Sequence, residues 1–394
     1  MANNLSIDQA YTFLSDLYSQ ATGNTGSATN VDSKNFVTVA QAVLKTGYDN
    51  TMAAISQVLG RTIFSIRPYT ARFRGIEVDN MRWGNMTRKI NYVDSDIDAT
   101  DDSITLTDAS SVDPWEIKKP KVLQTNYYGQ NAFQDHVTIF ETQLDTAFSS
   151  PEEFARFISG VIQNMMDKLE MFRENEARAA LINFAAGKAA ASNNVVNVLQ
   201  EYYNETGVTL TTGTMFADSY YVPFTKWLYS YINTLTRLMA ERSEIFHINV
   251  TGKEIQRHTP ADRMKAYMSA RVMDAINSIA LPSVYGADRL KMIDFEGVAY
   301  WQNINEPEKI VAKPVYLGSD GTLTEAGAST TIANMIGILF DEEAIGMNRF
   351  MQRVDRTPIN PRGLYSNMFY HEHIRVMNDF TENGVVLIAD TVST

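Results

Sequence analysis

The feature that most constrains this fold is residues 150–187, which predict a single long amphipathic helix. Ser150 is a helix-capping residue type, Pro151 suits the first helical position, and Glu153 stands where a capping box needs an acidic residue. The apolar residues that follow, at steps of three and four, are Phe154, Phe157, Ile158, Val161, Ile162, Met165, Leu169 and Phe172. Gly187 is the expected stop. A helix on the order of 50 Å long favours a spine that carries other layers, although an α+β enzyme with one long helix fits the pattern equally.

The side of this helix opposite the apolar stripe is charged. Its members are Arg156, Asp167, Lys168, Glu170, Arg173 and Glu174. Because charged side chains are rarely buried without partners, we expect this face to meet solvent or another protein.

The composition is that of a globular protein rather than a disordered or membrane-spanning one. The 394 residues predict roughly two to three domains, and 44% are hydrophobic and 20% charged. No apolar run is long enough to span a bilayer, and the N-terminus lacks the basic and apolar regions of a secretory signal. The absence of cysteine excludes disulfides and thiolate chemistry. The net charge of -12 argues against tight wrapping of nucleic acid but leaves loose contact with DNA open.

The first half of the chain predicts extensions rather than a compact domain. Residues 5–21 and 33–59 predict helices joined by a loop rich in Gly, Asn, Ser and Thr. From Arg61 the chain alternates apolar and polar residues, which predicts strands of a long antiparallel excursion that returns just before the spine helix. An isolated hairpin of this kind is only marginally stable in water, so we expect a neighbouring chain to stabilise it.

The second half predicts a separate domain followed by strands that return to the spine. Residues 191–213 predict loops, residues 217–242 a helix, and Thr259 to Ile276 a second helix that starts with a cap and a proline. A hairpin with Glu296 and Gly297 in its turn follows. The C-terminal segments NMIGILFD, AIGMNRFMQRV, NMFYHEHIRVMN and GVVLIAD predict strands that form a sheet against the spine helix.

Few residues have the spacing of a chemical site. His371 and His373 lie two apart on a predicted strand and therefore on one face, with Glu372 on the other, and no third metal ligand is spaced to join them. The alternating run Asp94, Asp96 and Asp98 lacks the glycine and the glutamate that a calcium loop needs. The chain also lacks GxSxG, HExxH and GxGxxG motifs, so we predict no catalytic, cofactor-binding or metal-binding residues.

Three stretches resemble the major capsid proteins of tailed phages, most closely the small podophage group related to phage phi 29. The C-terminal stretch from Arg356 to Asp390 contains NPRGLY, then an aromatic-rich strand and a short final strand. The N-terminal stretch is FVTVAQAVLKTGYDNTMAAISQVLGRTIFSIRPY, and the third is PWEIKKPKVLQTNYYG leading into the long helix. The order of parts is similar to that of the Hong Kong 97 fold.

The resemblance implies an α+β fold with four parts. They are an N-terminal arm at 1–64, an extended E-loop at 65–135, an axial domain at 191–330, and a peripheral domain made of 136–190 with the spine helix and 331–394. It implies a structural protein, not an enzyme, that self-assembles into the pentamers and hexamers of an icosahedral phage head enclosing double-stranded DNA.

The same resemblance implies the partners and the contact residues. The partners are further copies of the chain, a scaffolding protein, a portal and non-specifically held DNA, without a membrane or a cofactor. Synthesis is expected in the host cytoplasm and the final location is the virion. The residues expected at inter-subunit contacts are Phe36, Val39, Arg72, Arg74, Arg82, Trp83 and Trp115. Two alternatives are an encapsulin-like compartment shell of the same fold and a cytosolic hydrolase built on carboxylates.

Overall fold

The computed structural model describes residues 7–23, 30–65, 73–78, 86–93, 108–109, 111, 115, 121–192, 194–277 and 295–393. Its helices are α1 (Ile7–Thr22), α2 (Phe36–Lys45), α3 (Tyr48–Ser65), α4 (Glu141–Ala147), α5 (Pro151–Ala190), α6 (Val198–Thr206), α7 (Tyr221–Ala240) and α8 (Ala270–Ala275). Its strands are β1 (Met86–Tyr92), β2 (Val122–Tyr128), β3 (Asn131–Phe140), β4 (Val195–Asn197), β5 (Met264–Ser269), β6 (Phe295–Val298), β7 (Ile310–Ala312), β8 (Val315–Leu317), β9 (Leu323–Glu325), β10 (Thr330–Ile332), β11 (Met335–Asp341), β12 (Ile345–Arg356), β13 (Tyr365–Asn378) and β14 (Gly384–Ile388).

The predicted spine helix is α5, and it begins as the sequence predicts. The Ser150 hydroxyl accepts a hydrogen bond from the Glu153 backbone N–H at 3.2 Å, and Pro151 is the first helical residue. The predicted stop at Gly187 is wrong, because the helix continues to Ala190. Gly187 lies inside the helix, where a Cβ would come within 2.6 Å of the Phe380 ring. Its small size therefore serves close packing rather than helix termination.

The apolar stripe of α5 is confirmed, whereas the charged face is only partly exposed. Phe154, Ile158 and Leu169 of the stripe are buried. Glu170 and Arg173, expected on the exposed face, are also buried. The expectation fails there because Arg173 pairs both with Glu170 and with Glu372, a buried carboxylate on β13.

The N-terminal helices lie on the first half of α5. α1, α2 and α3 share one apolar core with that half of the helix and with side chains of β3 and β13. Gly47, with a φ of 100°, separates α2 from α3, because its left-handed backbone ends the first helix. The strand predicted from Arg61 starts too early, since α3 continues to Ser65.

A three-stranded antiparallel sheet, in the order β12–β13–β3, packs against α5. Its strands β12 and β13 come from the C-terminal segments, so the prediction that this part of the chain returns to the spine is confirmed. β3 brings the chain directly into α4 and then α5. The sheet thus ties the end of the excursion to the spine.

A mixed five-stranded sheet, in the order β4–β14–β11–β5–β6, lies between the second half of α5 and the helices α6 and α7. β11 is antiparallel to both β14 and β5, while β4 and β6 add in parallel at the edges. Its strands come from both sides of residue 330. The helix predicted through residues 264–269 is wrong, since β5 is a buried strand and the Thr259 hydroxyl donates to Asp341 at 2.9 Å instead of capping a helix.

Two further expectations for this half of the chain are wrong. Glu296 and Gly297 lie within β6 rather than in a hairpin turn. Residues 195–206 form β4 and α6 where loops were expected. None of the helices in the described part of the chain is long and apolar enough to cross a membrane.

Candidate assembly interface

The antiparallel pair of β1 and β2, here called the ribbon, is the described part of the predicted excursion. Its register places Met86 opposite Tyr128 and Tyr92 opposite Val122. Residues 94–107 and 116–120, including the acidic run, lie outside the described residues. β2 pairs with β1 and β3 pairs with β13, so the ribbon leaves the three-stranded sheet at the turn around Gly129, whose φ is 99°.

Strand alternation gives the ribbon two different faces. The inner face, turned toward the body of the same chain, includes Lys89, Asn91 and Tyr127, which are buried or half-buried. The outer face carries four large apolar side chains, Ile90, Tyr92, Val122 and Tyr128, which are 50%, 71%, 44% and 79% exposed. Exposed apolar residues grouped on one face indicate a surface that binds another protein.

Lys89 attaches the inner face to the body. Its ammonium lies 3.0 Å from Glu343, 3.0 Å from Asp379 and 2.6 Å from Glu382, and these three carboxylates are here called the acidic socket. Asp379 and Glu382 are buried, and Lys89 is largely so. Arg257 adds a second cation, 2.9 Å from Glu382. Ion pairs this far from solvent are screened little by salt, so their strength depends on the geometry of the socket.

The β13–β14 connection holds the socket in shape. The Asp379 carboxylate accepts hydrogen bonds from the Thr381 backbone N–H at 2.9 Å and from its hydroxyl at 2.6 Å, an Asx turn that fixes the loop. The backbone N–H of Gly384 donates to the Phe246 carbonyl oxygen, and the Asn383 amide oxygen is hydrogen-bonded to His247 Nδ1 at 3.2 Å. The socket is therefore built on a rigid loop rather than on a free surface.

The charges of the socket and of Lys89 depend on each other. Burial opposes charging of Lys89, but the attraction of Asp379 and Glu382 outweighs it and raises the pKa of Lys89. Burial works against the ionisation of Asp379 as well, yet Lys89 and Thr381 hold its pKa below the usual range. Burial raises the pKa of Glu382, and the nearby Asp379 charge adds to that. The ammonium is thus the group that allows two carboxylates to share one buried site.

Arg375 of β13 makes a second attachment at the base of the ribbon. Its guanidinium donates to the carbonyl oxygen of Gly129 at 3.1 Å and to the Thr87 hydroxyl at 3.2 Å. A cavity of about 610 Å³ lies beside these contacts, and Lys89 and Tyr127 of the ribbon line it together with Arg263 and Glu343 of the body. The ribbon therefore contacts its own subunit at its base and through Lys89.

The predicted contact residues lie in different places. Phe36 and Val39 are buried in the core between the arm and α5, where the Phe36 and Phe154 ring centroids are 5.8 Å apart. Trp115 is 84% exposed, and Arg74 begins a short 3₁₀ helix. Arg72, Arg82 and Trp83 lie outside the described residues. The structure does not bring these residues together, and their role at a subunit interface stays a prediction.

Sequence reasoning missed the residues that position the ribbon. No sequence motif marks Lys89, Asp379 or Glu382 as members of one buried ion-pair group. One local signal was present, because Asp379 followed two residues later by Thr381 is typical of an Asx turn. Nothing in the sequence pairs that turn with Lys89, which lies 290 residues earlier.

The two histidines on β13 do not form a metal site. His373 lies 3.2 Å from the Gln130 side chain, and Glu372 points to the other face, as predicted, where it is fully buried. Within the described residues, no group of three or more His, Asp or Glu side chains is placed to hold a metal ion.

A long spine helix under an arm, a projecting ribbon and two sheets define the Hong Kong 97-like fold of tailed-phage capsid subunits. Two of the solved structures that share it are from phages. The capsid of Staphylococcus phage Andhra matches with a TM-score of 0.54 and 10% identity, over 82% of this chain and 86% of the other. A structure of bacteriophage P68, described as head fiber and inner core protein gp22, matches with a TM-score of 0.53 and 10% identity, over 82% and 88%. At this identity the likeness shows the fold alone.

The family is established by the sequence. Residues 14–388 match the family described as Phi29-like phage major capsid protein, and the chain belongs to that family. It is a major capsid protein, a structural component of the virion that forms part of a multimeric shell. The compartment-shell and hydrolase alternatives are not favoured. No curated protein matches this chain.

Proposed function

We propose that this chain builds the pentamers and hexamers of an icosahedral phage head that encloses double-stranded DNA, with the ribbon lying on a neighbouring subunit. The observation that supports this is the outer face of the ribbon. It exposes Ile90, Tyr92, Val122 and Tyr128 on an element that has no core of its own. A two-stranded ribbon with an apolar outer face gains stability when that face is covered, and a second copy of the chain supplies the cover.

The proposal assigns a part to each region of the chain. Residues 1–64 are the arm, 65–135 the E-loop that contains the ribbon, 136–190 and 331–394 the peripheral domain, and 191–330 the axial domain. The five-stranded sheet draws β11 and β14 from the last region and β4, β5 and β6 from the axial one. The two domains therefore share a sheet.

The remaining partners follow from the same role. A scaffolding protein and a portal are proposed partners during assembly in the host cytoplasm, and the role is structural without catalysis. The net charge of -12 supports loose, non-specific contact with packaged DNA, because an acidic surface repels phosphate and gains little from counterion release.

The test removes the apolar character of the ribbon's outer face. The triple variant Ile90→Ser, Tyr92→Ser, Tyr128→Ser is expected to stay folded by circular dichroism, because these side chains are exposed. It should fail to form closed shells in negative-stain images and should sediment as small species, with shell yield reduced at least about tenfold, because many weakened contacts act together in one shell.

A matched control keeps the same positions apolar. The variant Ile90→Val, Tyr92→Phe, Tyr128→Phe should assemble like the native chain, since it preserves most of the apolar area. Normal shells from the serine variant would overturn the proposed role of this face.

A further inference from the structure

We propose that Lys89 and the acidic socket form an ionic latch that fixes the angle of the ribbon on its own subunit, and that releasing Lys89 lets the ribbon turn about its base. The latch concerns the unassembled chain. Its purpose, control of when the ribbon reaches a neighbour, rests on the proposed function.

The contacts of Lys89 make it suited to this task. It is a charged residue of the ribbon that reaches into the body, and it joins two separate segments there, Glu343 after β11 and Asp379 with Glu382 after β13. Three carboxylates around one ammonium define a single position for that side chain. Since Lys89 sits in the middle of β1, fixing it also fixes the tilt of the ribbon.

The space around the ribbon leaves the latch as the main restraint on that tilt. The cavity of about 610 Å³ beneath the ribbon removes apolar contact that would otherwise hold it, and the outer face is open. The attachment by Arg375 lies at the base of the ribbon, at Gly129 and at Thr87 near the start of β1, where it acts as a pivot. A ribbon with one pivot and one charged anchor has two discrete arrangements, anchored and released.

Partial release is unfavourable, which makes the latch a two-state device. If Lys89 left while water stayed out, Asp379 would remain buried without that cation, and Glu382 would keep Arg257 alone. Lifting the ribbon opens the cavity and hydrates the ammonium and the carboxylates together. The stable states are therefore the paired one and the fully hydrated one.

The test measures the tilt directly in the unassembled, full-length chain. Because the chain has no cysteine, two introduced cysteines take spin labels without other changes. Gln124→Cys on the outer face of β2 and Met171→Cys on α5 are both exposed and lie away from the socket. Pulsed electron paramagnetic resonance should give one narrow distance distribution in the otherwise native protein. A broad distribution there would overturn the latch without any further variant.

Three variants then test the anchor. Lys89→Met is expected to widen the distribution at least twofold or to add a second distance. Lys121→Met, an exposed lysine at the end of the ribbon, is the matched control and should leave the distribution unchanged. The triple variant Lys89→Met, Asp379→Asn, Glu382→Gln removes both sides of the latch. It leaves no buried carboxylate of the socket without a cation, and Arg257 keeps its hydrogen bond to the Thr381 carbonyl oxygen at 3.1 Å, so the variant should fold even where Lys89→Met alone does not.

The latch is wrong if both Lys89 variants keep the narrow distribution, or if Lys121→Met widens it as much. Shell assembly is scored separately on the chain with native ribbon and socket. Failure of that chain to make shells would count against the proposed function and leave the measured tilt as evidence for the latch.

Discussion

The two halves of α5 are held in the protein by different means. The first half presents an apolar stripe to the helices of the arm, and its charged residues, such as Arg156 paired with Glu153, are exposed. The second half runs through the body and carries buried ionisable groups, Arg173, Arg178 and Lys188. Apolar contact tolerates small shifts, whereas a buried charge needs its partner in place. Single substitutions should therefore cost more stability in the second half.

The largest expected effect on stability is at Arg173, which pairs with the buried carboxylates of Glu170 and Glu372. Arg173→Met removes the guanidinium that lies 2.9 Å from Glu372, a fully buried carboxylate, and should lower the free energy of unfolding by about 3–5 kcal/mol. Arg156→Met is the counterpart in the first half and should change it by less than about 0.5 kcal/mol. Urea denaturation of the unassembled protein measures both. Similar losses of unfolding free energy in the two variants would contradict the difference between the halves.

A second effect appears as a pH dependence. Burial lowers the pKa of Lys188 to about 7, so between pH 7 and 10 the unfolded chain binds a proton at this residue that the folded chain does not. Stability therefore rises with pH across that range, by about 1.4 kcal/mol per unit, and the rise ends below pH 7, where both states are protonated.

Lys188→Met removes this contribution and keeps the apolar stem. Denaturation midpoints at pH 8 and pH 10 should show the native protein gaining about 2–3 kcal/mol relative to the variant. Other titrating groups cancel in the difference. Equal pH profiles would mean that Lys188 stays charged in the folded protein.

The smallest expected effect compares two glycines of the same helix. At Gly187 a Cβ would meet the Phe380 ring at 2.6 Å, so Gly187→Ala should destabilise by about 1–3 kcal/mol. At Gly160 nothing lies within 4 Å of the same atom, and Gly160→Ala should stabilise by about 0.5–1 kcal/mol through helix propensity. Thermal denaturation followed by circular dichroism measures both changes in stability. Changes of the same sign would contradict the predicted difference between the two glycines.

The sequence predicts those features of the fold that depend on residues close together in the chain. The start of α5 was predictable because Ser150, Pro151 and Glu153 act within one turn, and the C-terminal strands were predictable from their apolar runs and flanking turns. β5 was not, because a short, fully buried strand and a buried helical segment have the same apolar pattern.

The buried charges depend on partners far away in the sequence. Glu170 looks like a surface residue until Arg173 pairs with Glu372, about 200 residues later. The acidic socket combines Lys89 with residues after β11 and after β13. The local sequence pattern does not indicate such pairings, so the acidic socket that positions the ribbon is seen only in the folded structure.

The length of α5 has a mechanical consequence. Its 40 residues span about 60 Å without a break, from the core shared with the arm to the core of the body. A pull on the arm therefore reaches the body along a continuous ladder of backbone hydrogen bonds, with no loop to stretch between them. The helix therefore transmits tension directly between the arm and the body.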